Sequence, residues 1–127
     1  MSKKILLVDD DHELVESIKQ LLESEHYEVY TAFDGKSGIE TAKAVQPDLM
    51  LLDVMMAHST EGFDISREIP KIPELADVPV LMLTGIREKM HLSFGFKPDK
   101  TWLPVKTILE KPVPPKKLLE VVRQYTS

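Results

Sequence analysis

At 127 residues, with 43% hydrophobic and 29% charged residues, the chain has the size of one globular domain and enough apolar content for a buried core. A formal net charge of -5 argues against non-specific nucleic-acid binding, and the absence of cysteine excludes disulfides and thiolate metal sites and fits a reducing compartment. No stretch approaches the length of a membrane span, and the apolar run after Lys3-Lys4 is too short and meets three aspartates too soon to be a secretory signal, so a soluble, cytoplasmic protein is expected, with neither membrane nor nucleic acid as a partner.

Lys4-Ile5-Leu6-Leu7-Val8 is the first apolar run of strand length, and it ends in Asp9, Asp10 and Asp11. Leu14, Val15, Ile18, Leu21 and Leu22 then recur at helical spacing with Glu13, Glu16, Lys19, Gln20 and Glu23 between them, which predicts an amphipathic helix over one face of a sheet. Asp11 is placed to cap that helix, leaving Asp9 and Asp10 for other work. His12 has no partner at metal-ligand spacing and reads as a surface residue of the helix. Tyr27 to Ala32 reads as a peripheral second strand, Asp34-Gly35 as a turn, and Ile39, Ala42 and Val45 as one face of a weaker helix ending near Gln46.

Pro47 stops that helix, and Leu49 to Leu52 run without interruption into Asp53. Such a run predicts a strand buried on both faces, the habit of a parallel sheet. A loop from Met55 to Glu61, a helix from Phe63 to Ile69 bracketed by Pro70 and Pro73, and a polar connector from Lys71 to Val78 lead to a fourth strand, Val80 to Leu83, ending in Thr84 and Gly85. The segment from Ile86 to Pro104 carries Phe94, Phe96 and Trp102, with Gly95, Pro98 and Pro104 breaking any long helix. From Arg87 to Lys106 five Lys/Arg face two acids, so this segment is either a solvated loop with a hydrophobic anchor or a recognition surface. Val105 to Glu110 predicts the last strand, ending in Lys111-Pro112. Pro114-Pro115 opens a final helix with Leu118, Leu119, Val121, Val122 and Tyr125 on its buried face. Repeated strand-helix alternation without long linkers predicts a single α/β domain.

An acid pair, an acid, a hydroxyl and a lysine thus close four different strands, at the sheet edge where open α/β folds bind ligands. Asp53 alone would read as an exposed turn aspartate; its company changes that. Carboxylates brought together repel unless positive charge lies among them, and an all-oxygen ligand set selects a hard ion such as Mg²⁺. Thr84 and Lys111 are groups able to hold phosphoryl oxygens.

Val8-Asp9-Asp10, Leu52-Asp53, Thr84 and Lys111-Pro112, with Asp34-Gly35 between, resemble the receiver domains of two-component response regulators over nearly the whole chain, Lys3 to Tyr125. The resemblance implies a doubly wound, flavodoxin-like fold with a five-stranded parallel sheet in the order 2-1-3-4-5. It implies a receiver spanning residues 1–127 with no output domain, signalling through altered protein-protein binding. By resemblance Asp53 is the phosphoacceptor, Asp10 a direct Mg²⁺ ligand with Asp9 beside it, and the Met55 carbonyl completes the metal site. Thr84 then matches the switch hydroxyl, and Lys111 pairs with the phosphoryl group, aimed by a cis bond before Pro112. The phosphoryl donor would be a sensor histidine kinase or phosphotransfer protein, and the chain would catalyse its own phosphorylation and slow dephosphorylation. A receiver-like interaction module that works without phosphorylation is the alternative.

The chain departs from the family in four places. Ala57 stands where receivers have a proline, and the loop before Gly62 is one residue longer. The segment between Thr84 and Lys111 is longer than usual. Ile108 occupies the place of an aromatic that swings inward on activation, so switching would rest on Thr84 and the 86–104 segment. A small phosphatase would want a second acid at Met55, and a flavin site a Ser/Thr/Gly-rich loop where Asp9 to Asp11 stand, so both fit poorly.

Overall fold

The apolar runs become five parallel strands: β1 (Lys4–Val8), β2 (Glu28–Ala32), β3 (Leu49–Asp53), β4 (Val80–Gly85) and β5 (Thr107–Lys111). The computed structural model describes residues 3–53, 68–85, 107–111 and 113–126. The strands form one sheet in the order β2-β1-β3-β4-β5, the expected doubly wound arrangement. Three helices are described with them: α1 (His12–Ser24), α2 (Gly35–Val45) and α3 (Pro115–Thr126).

Strand side chains alternate between two cores. Leu6, Val8, Met50, Leu52, Val80 and Met82 face Ala42 of α2. Ile5, Leu7, Leu49, Leu51, Leu81, Leu83 and Leu109 face Val15, Ile18 and Leu22 of α1 and Leu118, Val121 and Val122 of α3. All five residues of β3 are buried, as its unbroken apolar run requires. Burial of each such side chain contributes up to ~1.5–3 kcal/mol, and a one-residue slip would exchange the two faces, so the register is firmly specified.

Local chemistry sets the ends. Asp11 caps α1, its carboxylate accepting the Leu14 N–H at 3.2 Å. Asp34 is more than a turn residue: it caps α2 by accepting the Ser37 N–H at 2.8 Å. Gln46 ends α2 in the left-handed region at φ 53°, and the Lys4 ammonium donates to the Val45 carbonyl at 3.4 Å, where the helix dipole favours a cation. Asp48, just ahead of β3, accepts the Lys4 N–H at 2.8 Å and ties β3 to the start of β1.

Three expectations change. The second strand begins at Glu28, because the Tyr27 N–H still bonds back to the Leu22 carbonyl at the end of α1. The helix expected to reach Ile69 is still helical at Glu68 and passes at Ile69 into a 3-10 turn (Ile69–Lys71), since Pro70 suits the first positions of a new turn better than a helix interior; residues 63–67 lie outside the described residues. The connector holds a second 3-10 turn (Pro73–Leu75) and is polar only on its outer side, for Ile69 and Leu75 are fully buried against the α2 face. The expected loop at 55–61, the 86–104 segment and Pro112 also lie outside the described residues.

Candidate functional site

The carboxyl ends of β1 and β3 are adjacent, with Val8 opposite Leu52, so the residues that follow each strand meet at one edge. Asp9 is 0% exposed and Asp53 3% exposed, while Asp10 faces solvent. One oxygen from each of Asp9, Asp10 and Asp53 lies within 4.8 Å of the other two. The main chain holds Asp9 firmly: its N–H donates to the Ala32 carbonyl at 3.1 Å, and its carboxylate accepts the Asp11 N–H at 3.0 Å.

Burying two carboxylates this close is costly unless positive charge compensates them. The donor set is oxygen only, and two buried carboxylates beside an exposed one leave room for water. That combination fits a hard divalent ion such as Mg²⁺, which keeps water in its shell, and does not fit Zn²⁺ or a redox metal. Asp9, Asp10 and Asp53 are therefore brought together as the sequence suggested. Asp11 is not part of the cluster; it serves α1.

Backbone register places the other candidates at the same edge. Leu83 pairs with Asp53, so Thr84 stands one step beyond it on β4. Lys111 on β5 pairs with Gly85. On the same pair of strands Ile108 pairs with Met82. Met55 lies outside the described residues.

Sequence reasoning missed a neighbour of the acid loop. His12, the first residue of α1, stacks flat on Phe33 just past β2, with ring centroids 3.9 Å apart and planes 5° apart. The contact joins two loop ends distant in sequence, and no periodicity announces it.

Comparison with known proteins agrees with this architecture. The family model of the response regulator receiver domain matches residues 5–123. Over 86 residues, 68% of this chain, the sequence is 38% identical to the response regulator PleD of Caulobacter vibrioides. Over 93 residues, 73% of this chain, it is 36% identical to the DNA-binding dual master transcriptional regulator RpaA of Synechocystis. These matches span only 19% and 38% of those longer relatives. Among solved structures, chemotaxis protein CheY4 of Vibrio cholerae superposes with a TM-score of 0.81 at 26% identity, covering 98% of this chain and 99% of that one. A CheY-like receiver domain protein from Methanospirillum hungatei gives 0.77 at 28% identity, covering 98% and 93%. Among the described residues no helix is long and apolar enough to cross a membrane.

Proposed function

Because the chain belongs to the response regulator receiver domain family, we propose that it accepts a phosphoryl group on Asp53 from a histidine kinase or phosphotransfer protein and signals by altered binding to a protein partner. The observation that carries this reading is the gathering of Asp9, Asp10 and Asp53 within 4.8 Å at the carboxyl edge of the sheet, with Asp53 almost fully buried. A carboxylate so placed is shielded from water and presented to a ligand at the strand ends.

In the proposed reaction an Asp53 carboxylate oxygen attacks phosphorus, the P–N bond to the donor histidine breaks, and its electron pair returns to the imidazole. Little covalent chemistry is asked of the protein; positioning and charge neutralisation do most of it. Asp9, Asp10, Asp53 and the Met55 carbonyl would hold Mg²⁺, which when bound neutralises phosphoryl oxygens. Lys111 supplies a second positive charge and the Thr84 hydroxyl a hydrogen bond to the same oxygens. The buried main-chain bonds of Asp9 keep the acid pair from rearranging as charge arrives.

By the family resemblance the positions of Met55 and Ile86 would flank the path of the attacking water, and both residues are apolar, so slow hydrolysis of the acyl phosphate is expected. Loss of label from the isolated protein within seconds would refute that part. Formation of a Mg²⁺-dependent beryllofluoride adduct, lost in Asp53→Ala, tests the main reading. Failure of a folded wild-type chain to form it would favour a phosphorylation-independent interaction module.

A further inference from the structure

We propose that the outer edge of β2 pairs antiparallel with the same edge of a second copy of this chain, with Tyr30 on the two-fold axis and the Phe33 ring of each copy seated beside Tyr27 of the other. Among the described residues β2 ends the sheet, hydrogen-bonded to β1 alone. The Glu28 N–H donates to Lys3 at 2.9 Å and the Ala32 carbonyl accepts from Asp9 at 3.1 Å. Inward-bonding residues alternate along a parallel strand, so Glu28, Tyr30 and Ala32 turn their main chain toward β1. Val29 and Thr31 therefore present their N–H and C=O groups outward. Edge strands are commonly blunted by lysine, proline or a bulge; Glu-Val-Tyr-Thr-Ala contains neither residue and pairs with β1 without a break.

One antiparallel register satisfies this edge. Val29 faces the second copy's Thr31, and Thr31 the second copy's Val29, each pair exchanging both N–H···O bonds. Tyr30 then faces itself and Glu28 faces Ala32, so no like charges stand directly opposite.

Continuing the register brings Phe33 of one copy opposite Tyr27 of the other; Phe33 directly follows the last residue of β2, and the chain bends there and at Asp34. Tyr27 and Val29 lie on the α1 side of the sheet, as does Phe33, stacked on His12 of α1. At 37% exposure Phe33 is the exposed large hydrophobic side chain among the described residues. Beside Tyr27, along the edge of β2, lies a wide, open groove of ≈ 650 Å³ lined by Glu23, His26, Tyr27, Glu28, Val29 and Tyr30. Knob and groove belong to one strand, and the register that completes the ladder brings them together twice. That coincidence selects a second copy over an unrelated partner.

Sedimentation equilibrium of the full chain from roughly 10 µM to 1 mM brackets association of this strength. Wild type is expected to dimerise with concentration. Thr31→Pro removes an outward N–H while sparing the ladder to β1, and Phe33→Ala empties the groove. Each should weaken the dimer by about tenfold or more with native circular dichroism retained. If Thr31→Pro fails to fold, Phe33→Ala carries the test. A chain that stays monomeric throughout, or a dimer that Phe33→Ala leaves undiminished, overturns the proposal.

Discussion

Replacing Gly38 with alanine opposes two effects of known sign. Gly38 sits inside α2, where alanine is favoured over glycine by ~1 kcal/mol. A Cβ at that position, however, would stand 3.0 Å from Val8 Cγ2 and 3.1 Å from Val8 Cγ1. Val8 cannot retreat: it is fully buried, β-branched, and paired on both sides, to Ala32 and Leu52. Overpacking of this kind costs about 1–3 kcal/mol, so it offsets or exceeds the helix gain and leaves a net loss of about 0–2 kcal/mol. For a chain of this size that lowers the thermal midpoint by roughly 4 °C per kcal/mol, and urea denaturation followed by circular dichroism measures it directly. Val8→Ala should relieve the contact, costing about 1 kcal/mol less in the Gly38→Ala background than in wild type. If Gly38→Ala stabilises the protein and the two substitutions add independently, the close approach of α2 to β1 is not a constraint on the fold.

Two titratable groups outside the acid cluster shape the pH dependence. The Ser37 N–H, and secondarily the Ser37 hydroxyl, hold the Asp34 carboxyl below its usual 3.8. Its contribution is therefore complete above that value and disappears as pH falls through the lower folded-state value; Asp34→Ala should flatten the acid limb of urea midpoints measured from about pH 5 to pH 2. The Tyr30 hydroxyl donates to Glu28 at 2.8 Å, and that bond raises its pKa above 10.0. The folded state holds this proton more tightly, so the contribution is present below the unfolded value and lost as pH rises through the folded one; Tyr30→Phe should flatten the alkaline limb. Asp10→Asn should weaken Mg²⁺ affinity by about tenfold or more in titration calorimetry, since it removes the exposed member of the cluster without disturbing the buried pair. An unchanged affinity would place the ion elsewhere.

Much of the molecule is legible from residue order. The unbroken run Leu49 to Leu52 implied a strand covered on both faces, and the structure buries every residue of β3. Acids at the carboxyl ends of β1 and β3 imply a shared edge, and the parallel register delivers it. The place of Asp11 before a helical pattern marks it as a cap, and it caps. What escaped depends on contacts between segments. Ile69 and Leu75 lie among prolines and charges, and only the α2-side core beneath them explains their burial. Asp34-Gly35 has the composition of a turn, yet the same carboxylate that suits a turn also suits a helix N-cap. The His12–Phe33 stack and the groove beside Tyr27 arise where loop ends meet a strand edge, which no local pattern encodes.

The central claim is that Asp53 is made receptive to a phosphoryl group by the acids gathered beside it and the cation they would hold. Intact-mass spectrometry after incubation with acetyl phosphate tests it most directly. One phosphoryl group should add to wild type in magnesium, none after chelation, and none to Asp53→Asn. Addition that ignores magnesium, or that persists in Asp53→Asn, would contradict the account.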